Sequence, residues 1–275
     1  MALIKLGQPW RRWLLRPLRV TTTLLGVYYA YMVEYRAELM FWVLSGSFPL
    51  ILMGLWQEAA RSGQFALSPA EVVRYFLTVF VVRQLTVVWV IWDFERQVLE
   101  GKLSPQLLQP LDPGWRHLCS HMAERLARLP FIAVLVGLFV WLSPEARYVP
   151  SLLQLLWGLL AVAIAFFLRF LMQYTYAMFA FWIERATAIE QLAFLPYIFL
   201  SGMVAPLSLF PETVKAIVLW TPFPYLIYVP ASLLIGLPVD PLPSLGAALA
   251  WCSIFAVVNR WLWRRGLRHY SGMGA

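Results

Sequence analysis

The longest apolar stretch of the chain lies in its middle and decides the class of fold. Residues 149–183 read VPSLLQLLWGLLAVAIAFFLRFLMQYTYAMFAFWI, with Arg169 as their single charged residue. A helix rises about 1.5 Å per residue, and about 20 apolar residues suffice to cross a bilayer. As one helix this stretch would be about 52 Å long. We therefore predict that it crosses the membrane and either tilts or projects into the cytoplasm.

Five further apolar runs surround this stretch, and together they predict six membrane spans. The other runs are residues 37–57, 70–92, 122–143, 188–205 and 244–263. The whole chain is 61% hydrophobic with a mean hydropathy of +0.69, whereas a soluble domain is about half apolar. We predict an all-α membrane protein with six transmembrane helices, built as one domain over residues 1–275.

Basic residues collect on one side of this membrane topology. With the N-terminus inside, sixteen of the 22 Lys and Arg residues are cytoplasmic, and the outer loops contain Arg61, Arg147 and Lys215. The sixteen are Lys5, Arg11, Arg12, Arg16, Arg19, Arg36, Arg96, Lys102, Arg116, Arg125, Arg128, Arg185, Arg260, Arg264, Arg265 and Arg268. Because Lys and Arg accumulate on the cytoplasmic side of short loops, we expect both termini in the cytoplasm. The net charge of +8 then faces anionic membrane lipids. No basic soluble domain remains to bind nucleic acid.

Three segments outside the spans carry predictions of their own. Residues 1–36 are predicted as an interfacial elbow, with a surface segment over 1–20 and a short helix over 22–36. Residues 93–121 are predicted as a cytoplasmic loop. Residues 206–243 are too apolar for an ordinary loop and too rich in proline for a span. Their pieces 212–220 and 225–235 are therefore predicted as re-entrant helices in the outer leaflet.

Catalytic and ligand-binding patterns are scarce. The only Gly-Lys pair, Gly101-Lys102, lacks the spacing of a phosphate-binding loop, so no nucleotide site is predicted. All fourteen acids fall at span ends or in loops of the predicted topology, which argues against ion-coupled transport. Cys119 and Cys252 are expected at different depths, and therefore as free thiols.

One small polar cluster is the exception. His117 and His121 share a helix face and Glu124 lies near them, but Cys119 projects from the opposite side, so no metal site is predicted. Polar packing where the third span leaves the membrane explains the cluster equally well. An intramembrane lipid-modifying enzyme would need such a group, and this alternative stays open together with a non-catalytic membrane scaffold.

Three arginines lie inside predicted spans, Arg74, Arg83 and Arg169, and the last two are expected at different depths. Arg83 is expected about 18 Å from the outer end of its span, near the middle of the bilayer, with Gln84 beside it. A charge there is costly, so Arg83 either lines a translocation path with Gln84 or donates hydrogen bonds between helices. Arg169 is expected near the inner boundary, where its guanidinium can reach the lipid headgroups.

The predicted cytoplasmic loop opens with a compact amphipathic hairpin. Residues 92–110 read WDFERQVLEGKLSPQLLQP. Ser104 and Pro105 are suited to begin a short helix that carries Leu107 and Leu108. Exposed leucines at the tip of a cytoplasmic hairpin indicate a protein-docking element. The alternative is that both leucines pack back on the inner membrane surface.

This hairpin resembles the coupling segment of ABC type-2 exporter permeases. Residues 200–211 (LSGMVAPLSLFP) and 222–225 (PFPY) are similar to the region between the fifth and sixth spans of that family. Residues 262–272 (LWRRGLRHYSG) resemble the tail of a small bacterial subfamily. The chain departs from the family pattern at Lys102, where Thr is usual, and at Ser104, where Glu is usual.

The resemblance implies a permease subunit of an exporter in the bacterial plasma membrane. Such a subunit has no catalytic residues and forms the path for a hydrophobic or amphipathic substrate. Its partners would be a cytosolic ATPase, which binds ATP and Mg, and a second permease, identical or paralogous. The ATPase-docking residues would be Glu95, Glu100, Gly101, Leu103, Ser104, Leu107 and Leu108. The outer gate, within residues 206–235 and the turn before them, would include Gly202, Pro206, Pro211, Pro222 and Pro224.

Overall fold

The computed structural model describes residues 9–63 and 67–270, with side chains described from Leu18 onward. Residues 1–8 of the predicted elbow, 64–66 of an outer loop and 271–275 of the tail lie outside the described residues. The described part is mostly helical and contains no β-strand. Its helices are α1 (Pro9–Glu34), α2 (Arg36–Ser45), α3 (Phe48–Arg61), α4 (Pro69–Thr86), α5 (Val90–Leu99), α6 (Ser104–Leu107), α7 (Pro113–Leu142), α8 (Leu152–Ala177), α9 (Thr187–Leu200), α10 (Glu212–Leu219), α11 (Tyr228–Ile235) and α12 (Pro241–His269).

Five helical segments in the described residues are long and apolar enough to cross a membrane. They are Arg36–Arg61, Pro69–Leu99, Pro113–Leu142, Leu152–Phe181 and Pro241–His269. The first is interrupted between α2 and α3, and the second between α4 and α5. Many apolar side chains of these segments are exposed, among them Val134, Trp141 and Leu152. An apolar outer surface of this kind is suited to lipid, which confirms the prediction of a multi-pass, all-helical membrane protein.

The sixth predicted span is only partly helical. Within residues 188–205 the helix α9 has 14 residues and ends at Leu200. Its length is about 21 Å, which is shorter than the ~30 Å of bilayer hydrocarbon. Gly202 then turns the chain with a left-handed φ of +85°. The count of six spans depends on α9 together with the segment after it, and remains a prediction.

The N-terminal region forms one helix where two segments were predicted. No break occurs near residue 21, and α1 runs from Pro9 to Glu34. The Thr22 hydroxyl donates to the Leu18 carbonyl at 3.0 Å, so a run of β-branched residues is accommodated inside the helix. α1 packs along α7, where the indole N–H of Trp115 donates to the Thr21 hydroxyl at 3.2 Å. The position of α1 at the membrane surface remains a prediction.

The third spanning helix begins nine residues earlier than the apolar run. α7 starts at Pro113, and the carboxylate of Asp112 caps it by accepting from the Gly114 amide at 2.8 Å. The predicted cytoplasmic loop is therefore partly helical. Hydropathy detects the apolar part of a helix and not its polar first turn. The start of α7 therefore could not be located from hydropathy.

The core is built around α4 and α8. α4 has buried residues on several sides, and the side chains of Tyr75, Phe76, Val79 and Phe80 are fully buried. Such a pattern is typical of a central helix. α4 packs against α3, α8 and α11, and α8 packs against α11 and α12. A second cluster of buried apolar residues, around Phe94, lies at the end of the molecule that contains the hairpin.

Candidate functional site

The hairpin between α5 and α7 presents two leucines at its tip. α5 ends at Leu99, and Gly101 reverses the chain with a φ of +69°. The single turn α6 follows, and the chain leaves it through Leu108 and Pro110. Leu108 is 88% exposed and Leu107 is 37% exposed. The tip therefore presents apolar side chains to its surroundings, as an element that docks on another protein does.

Two other predicted docking residues, Leu103 and Ser104, hold the hairpin against the rest of the protein. Leu103 is fully buried in the cluster around Phe94. The Ser104 hydroxyl lies 3.1 Å from the hydroxyl of Tyr270, which follows α12 directly. These contacts connect the hairpin to the last spanning helix.

Glu95 points inward and binds the start of α9. Its two carboxylate oxygens accept from the Thr187 amide at 2.7 Å and from the Thr187 hydroxyl at 3.2 Å. The first amides of a helix have no partner within it, and a carboxylate there also interacts favourably with the helix dipole. Glu95 therefore joins α5 to α9. Glu100, in contrast, is exposed beside the tip.

Arg83 and Gln84 both bind the break between α2 and α3. The Arg83 guanidinium donates to the Gly46 carbonyl, and the Gln84 amide donates to the Val43 carbonyl, each at 2.9 Å. Carbonyls at the end of a helix lack partners within it, so these donors cap α2 from a neighbouring span. The contacts match the structural interpretation of Arg83. A role of Arg83 and Gln84 in a translocation path remains a prediction.

A buried ionic network lies next to these caps. Glu124 forms an ion pair with Arg128 and lies 3.2 Å from Nδ1 of His121. Arg128 also donates to the Gln84 side-chain oxygen at 3.4 Å, which joins α7 to α4. The i, i+4 spacing of Glu124 and Arg128 was the sequence signal for this pair.

Glu124 lies deeper within its helix than the apolar run indicates. Because α7 begins at Pro113, Glu124 lies three helical turns inside it and is 8% exposed. Its carboxylate is already bound to Arg128 and His121. His117 packs on the rings of Phe94 and Tyr174 instead. Among residues 9–63 and 67–270, no group of three His, Cys, Asp or Glu side chains is placed to hold a metal ion.

Arg169 is buried, and the prediction that it reaches the headgroups is wrong. It is 9% exposed and stacks on the ring of Tyr197 at 3.9 Å. Its guanidinium lies 3.7 Å from the carboxylate of Glu190. Both partners belong to α9, which packs against α8. α9 thus gives Arg169 a carboxylate partner, which α8 itself does not contain.

The predicted outer gate is held by hydrogen bonds to backbone groups. The Tyr75 hydroxyl of α4 donates to the Gly202 carbonyl, and the Trp56 indole of α3 donates to the Val204 carbonyl, each at 2.7 Å. Of the other proposed gate residues, Pro206, Pro222 and Pro224 are buried and Pro211 is exposed. These donors join the start of the gate to two spanning helices.

Two helices occur where the re-entrant pieces were predicted. α10 occupies Glu212–Leu219 and is largely exposed, with Trp220 after it 84% exposed. α11 occupies Tyr228–Ile235, and its first six residues are buried against α4 and α8. The hydroxyl of Tyr225 donates to the Leu219 carbonyl at 2.7 Å and connects the two. Their depth in the membrane remains a prediction.

Comparison with known families identifies the class of protein. The model of the ABC-2 family transporter protein matches residues 38–274. The match covers nearly all of the spanning segments, the hairpin between α5 and α7, and the outer segment. No curated protein matches the chain. The family match confirms the resemblance drawn from the sequence, and the chain belongs to the ABC-2 family of transporter proteins, as a multi-pass membrane component.

Proposed function

We propose that the chain is the permease subunit of an ATP-driven exporter, coupled through the tip of the α5–α7 hairpin to a separate cytosolic ATPase. Leu108 at this tip, with 88% of its surface exposed, is the observation that carries the proposal. Exposed leucines on a hairpin supported from below are suited to a protein partner, because burying them releases water from apolar surface. The ATPase supplies ATP and Mg binding, which this chain leaves to its partner.

The contacts beneath the tip support a mechanical role. Glu95 joins the hairpin to the start of α9, and Ser104 joins it to the end of α12. Leu103 fixes the tip to the packed cluster below it. Because packed cores deform little, a displacement of the tip moves α9 and α12 with it. ATPase closure would thus reach the outer segment through α9, which leads directly to Gly202.

The rest of the exporter proposal rests on the family resemblance and on the distribution of basic residues. A second permease, identical or paralogous, completes the path for a hydrophobic or amphipathic substrate across the bacterial plasma membrane, with both termini in the cytoplasm. The segment from Gly202 through residues 206–235 acts as the outer gate. Arg83 and Gln84 line the translocation path beside the α2–α3 break in this proposal, so Arg83→Leu should lower transport more than assembly.

Replacement of the tip leucine tests the docking role. Leu108→Asp places a charge on the proposed contact, and we expect ATPase activity to be lost when the tagged chain is purified from its native membrane. Val149→Asp is the matched control, because Val149 is 90% exposed in the connection between α7 and α8. Equal recovery of ATPase activity with both variants would exclude the tip as the docking element.

Cysteine labelling tests which end faces the cytoplasm. Glu145→Cys should react with a membrane-impermeant maleimide on intact cells, and Lys102→Cys should react only after the membrane is opened. The unmodified chain, with Cys119 and Cys252, gives the background. The opposite pattern would place the hairpin outside the cell and end the exporter proposal.

A further inference from the structure

A cavity lined by aromatic rings reaches the start of α5, and no residue of the hairpin tip lines it. It opens between α1, α2, α5 and α7 and has a volume of about 550 Å³. Cavities that hold small organic ligands measure ~300–1,000 Å³. Five rings line it, those of Tyr31, Tyr35, Trp42, Trp89 and Trp92. The size is therefore suited to a compact aromatic or aliphatic ligand.

Four of the five rings form two pairs, and four of the five are exposed at the surface. The ring centroids of Tyr31 and Tyr35 lie 4.8 Å apart, and those of Trp42 and Trp89 lie 5.2 Å apart. Trp92 is exposed at the cavity, as are both tyrosines and Trp42. The faces of aromatic rings carry negative potential and attract cations, with Trp the strongest. Rings that present their faces to a ligand favour one that is both apolar and positively charged.

The charges around the cavity point to the same ligand. Its carboxylates are Glu38, Asp93 and Glu124, and its single guanidinium is that of Arg128. Arg128 is paired with Glu124, and Asp93 accepts from Arg96 at 2.8 Å. The remaining polar lining groups are the side chains of His121 and Ser120.

Glu38 is the carboxylate that a ligand would meet. One of its oxygens accepts from the Trp42 indole N–H at 3.2 Å, which orients the carboxylate beside that ring. In the described part of the chain, no basic side chain forms an ion pair with Glu38. An unneutralised carboxylate beside aromatic faces binds organic cations and repels anions. A neutral ligand would leave this charge without a partner.

We propose that this cavity binds a lipophilic organic cation, with Glu38 as its counter-ion and the rings of Trp42 and Trp92 against its apolar body. The inference goes beyond the exporter proposal and does not depend on it. A free lipophilic cation and the ammonium group of a membrane lipid share this chemistry.

Ethidium is a suitable probe because it is a planar, permanently charged aromatic cation. We expect the purified chain in non-ionic detergent to bind it, as measured by fluorescence anisotropy. Glu38→Gln and Trp92→Ala should each weaken binding about five- to tenfold, since each removes one attractive element. Glu34→Gln and Trp141→Ala are the matched controls on exposed sites outside the cavity, and they should bind as the unmodified chain does.

Two further measurements keep the test decisive. Fluorescein, an anionic dye of similar size, should not bind at the same concentration. Displacement of ethidium by phosphatidylethanolamine but not by phosphatidylglycerol would identify a lipid ammonium group as an occupant of the same cation site. Equal ethidium binding by Glu38→Gln and Glu34→Gln, fluorescein binding comparable to that of ethidium, or equal displacement by both lipids would each overturn the proposal.

Discussion

The hairpin tip and α11 of the outer segment both belong to proline-containing connections between spans, yet the leucines of the tip are exposed and most residues of α11 are buried. At the tip, Leu107 and Leu108 are exposed and only Leu103 is buried. In the outer segment, α11 buries its first six residues between α4 and α8. Apolar composition alone therefore does not decide whether a connection packs inward. The available neighbours decide it.

The hydrogen-bonding groups that hold the two regions also differ. The outer segment is held by uncharged aromatic donors, Tyr75 and Trp56, which bind its backbone carbonyls. The hairpin is held by the charged Glu95 and by the hydroxyls of Ser104 and Tyr270. A carboxylate is tolerated at the wetter end of a membrane protein, whereas a buried apolar region favours neutral donors.

The largest effect is expected within the hairpin itself. Leu103→Ala should lower the free energy of unfolding by about 2–5 kcal/mol, because it leaves a cavity in a packed cluster. Leu108→Ala is the matched control and should change it by less than ~0.5 kcal/mol, since that side chain is exposed. Thermal unfolding in detergent measures both. Equal losses would show that the tip leucine is packed and not free for a partner.

Gly202 provides the corresponding test of the outer segment. Gly202→Ala should cost about 2–3 kcal/mol, because an L side chain is strained at a φ of +85° and its Cβ would lie 2.7 Å from the Tyr75 hydroxyl. Gly137→Ala in α7 is the control, as nothing lies within 4 Å of its Cβ position. An unchanged melting temperature for Gly202→Ala would contradict the tight turn that starts the proposed gate.

A comparison of variants at Glu95 and Glu100 distinguishes the residue that supports the hairpin from one proposed to contact the ATPase. Glu95→Ala should cost about 1–2 kcal/mol, because the Thr187 amide at the start of α9 loses its acceptor. Glu100→Ala changes the same residue type on an exposed site and should have little effect on unfolding. A comparable loss from both variants would mean that the cap on α9 is not the source of the stability.

The smallest effect concerns the hydrogen bond that starts the outer segment. Tyr75→Phe keeps the ring but removes the donor to the Gly202 carbonyl, and we expect a loss of about 1 kcal/mol. Tyr29→Phe, on an exposed face of α1, serves as the control. If Tyr75→Phe unfolds at the temperature of the unmodified chain, the bond between α4 and the turn does not contribute to the stability of the gate.

The spanning segments were predictable because each is marked by a local run of apolar residues. The apolar runs found the five long segments, and the pair of Ser68 and Glu71, which forms a capping box in the structure, is a local signal for the start of α4. The start of α7 was missed because its first turns are polar. The continuity of α1 was missed because charged residues around Arg19 resemble a surface segment as much as a helix.

The candidate site was predictable as a segment but not residue by residue. The exposed leucines lie at the tip as the amphipathic pattern indicates, whereas Glu95 faces inward to a partner 92 residues away. Arg83 was expected near mid-bilayer with two open interpretations, and its acceptor is a carbonyl 37 residues earlier in the chain. Neither partner has a local sequence signal.

The sequence by itself determined that this chain crosses a membrane as a bundle of helices and which family it belongs to. Hydrophobic burial is non-directional and scales with apolar area, so the runs of residues define the spans without knowledge of their neighbours. Only the tertiary structure decided the partners of Glu95, Arg83, Arg169 and Glu124, and the meeting of five rings around Glu38. Hydrogen bonds and ion pairs require specific atoms within about 3–4 Å, and packing alone sets such distances between remote parts of a chain.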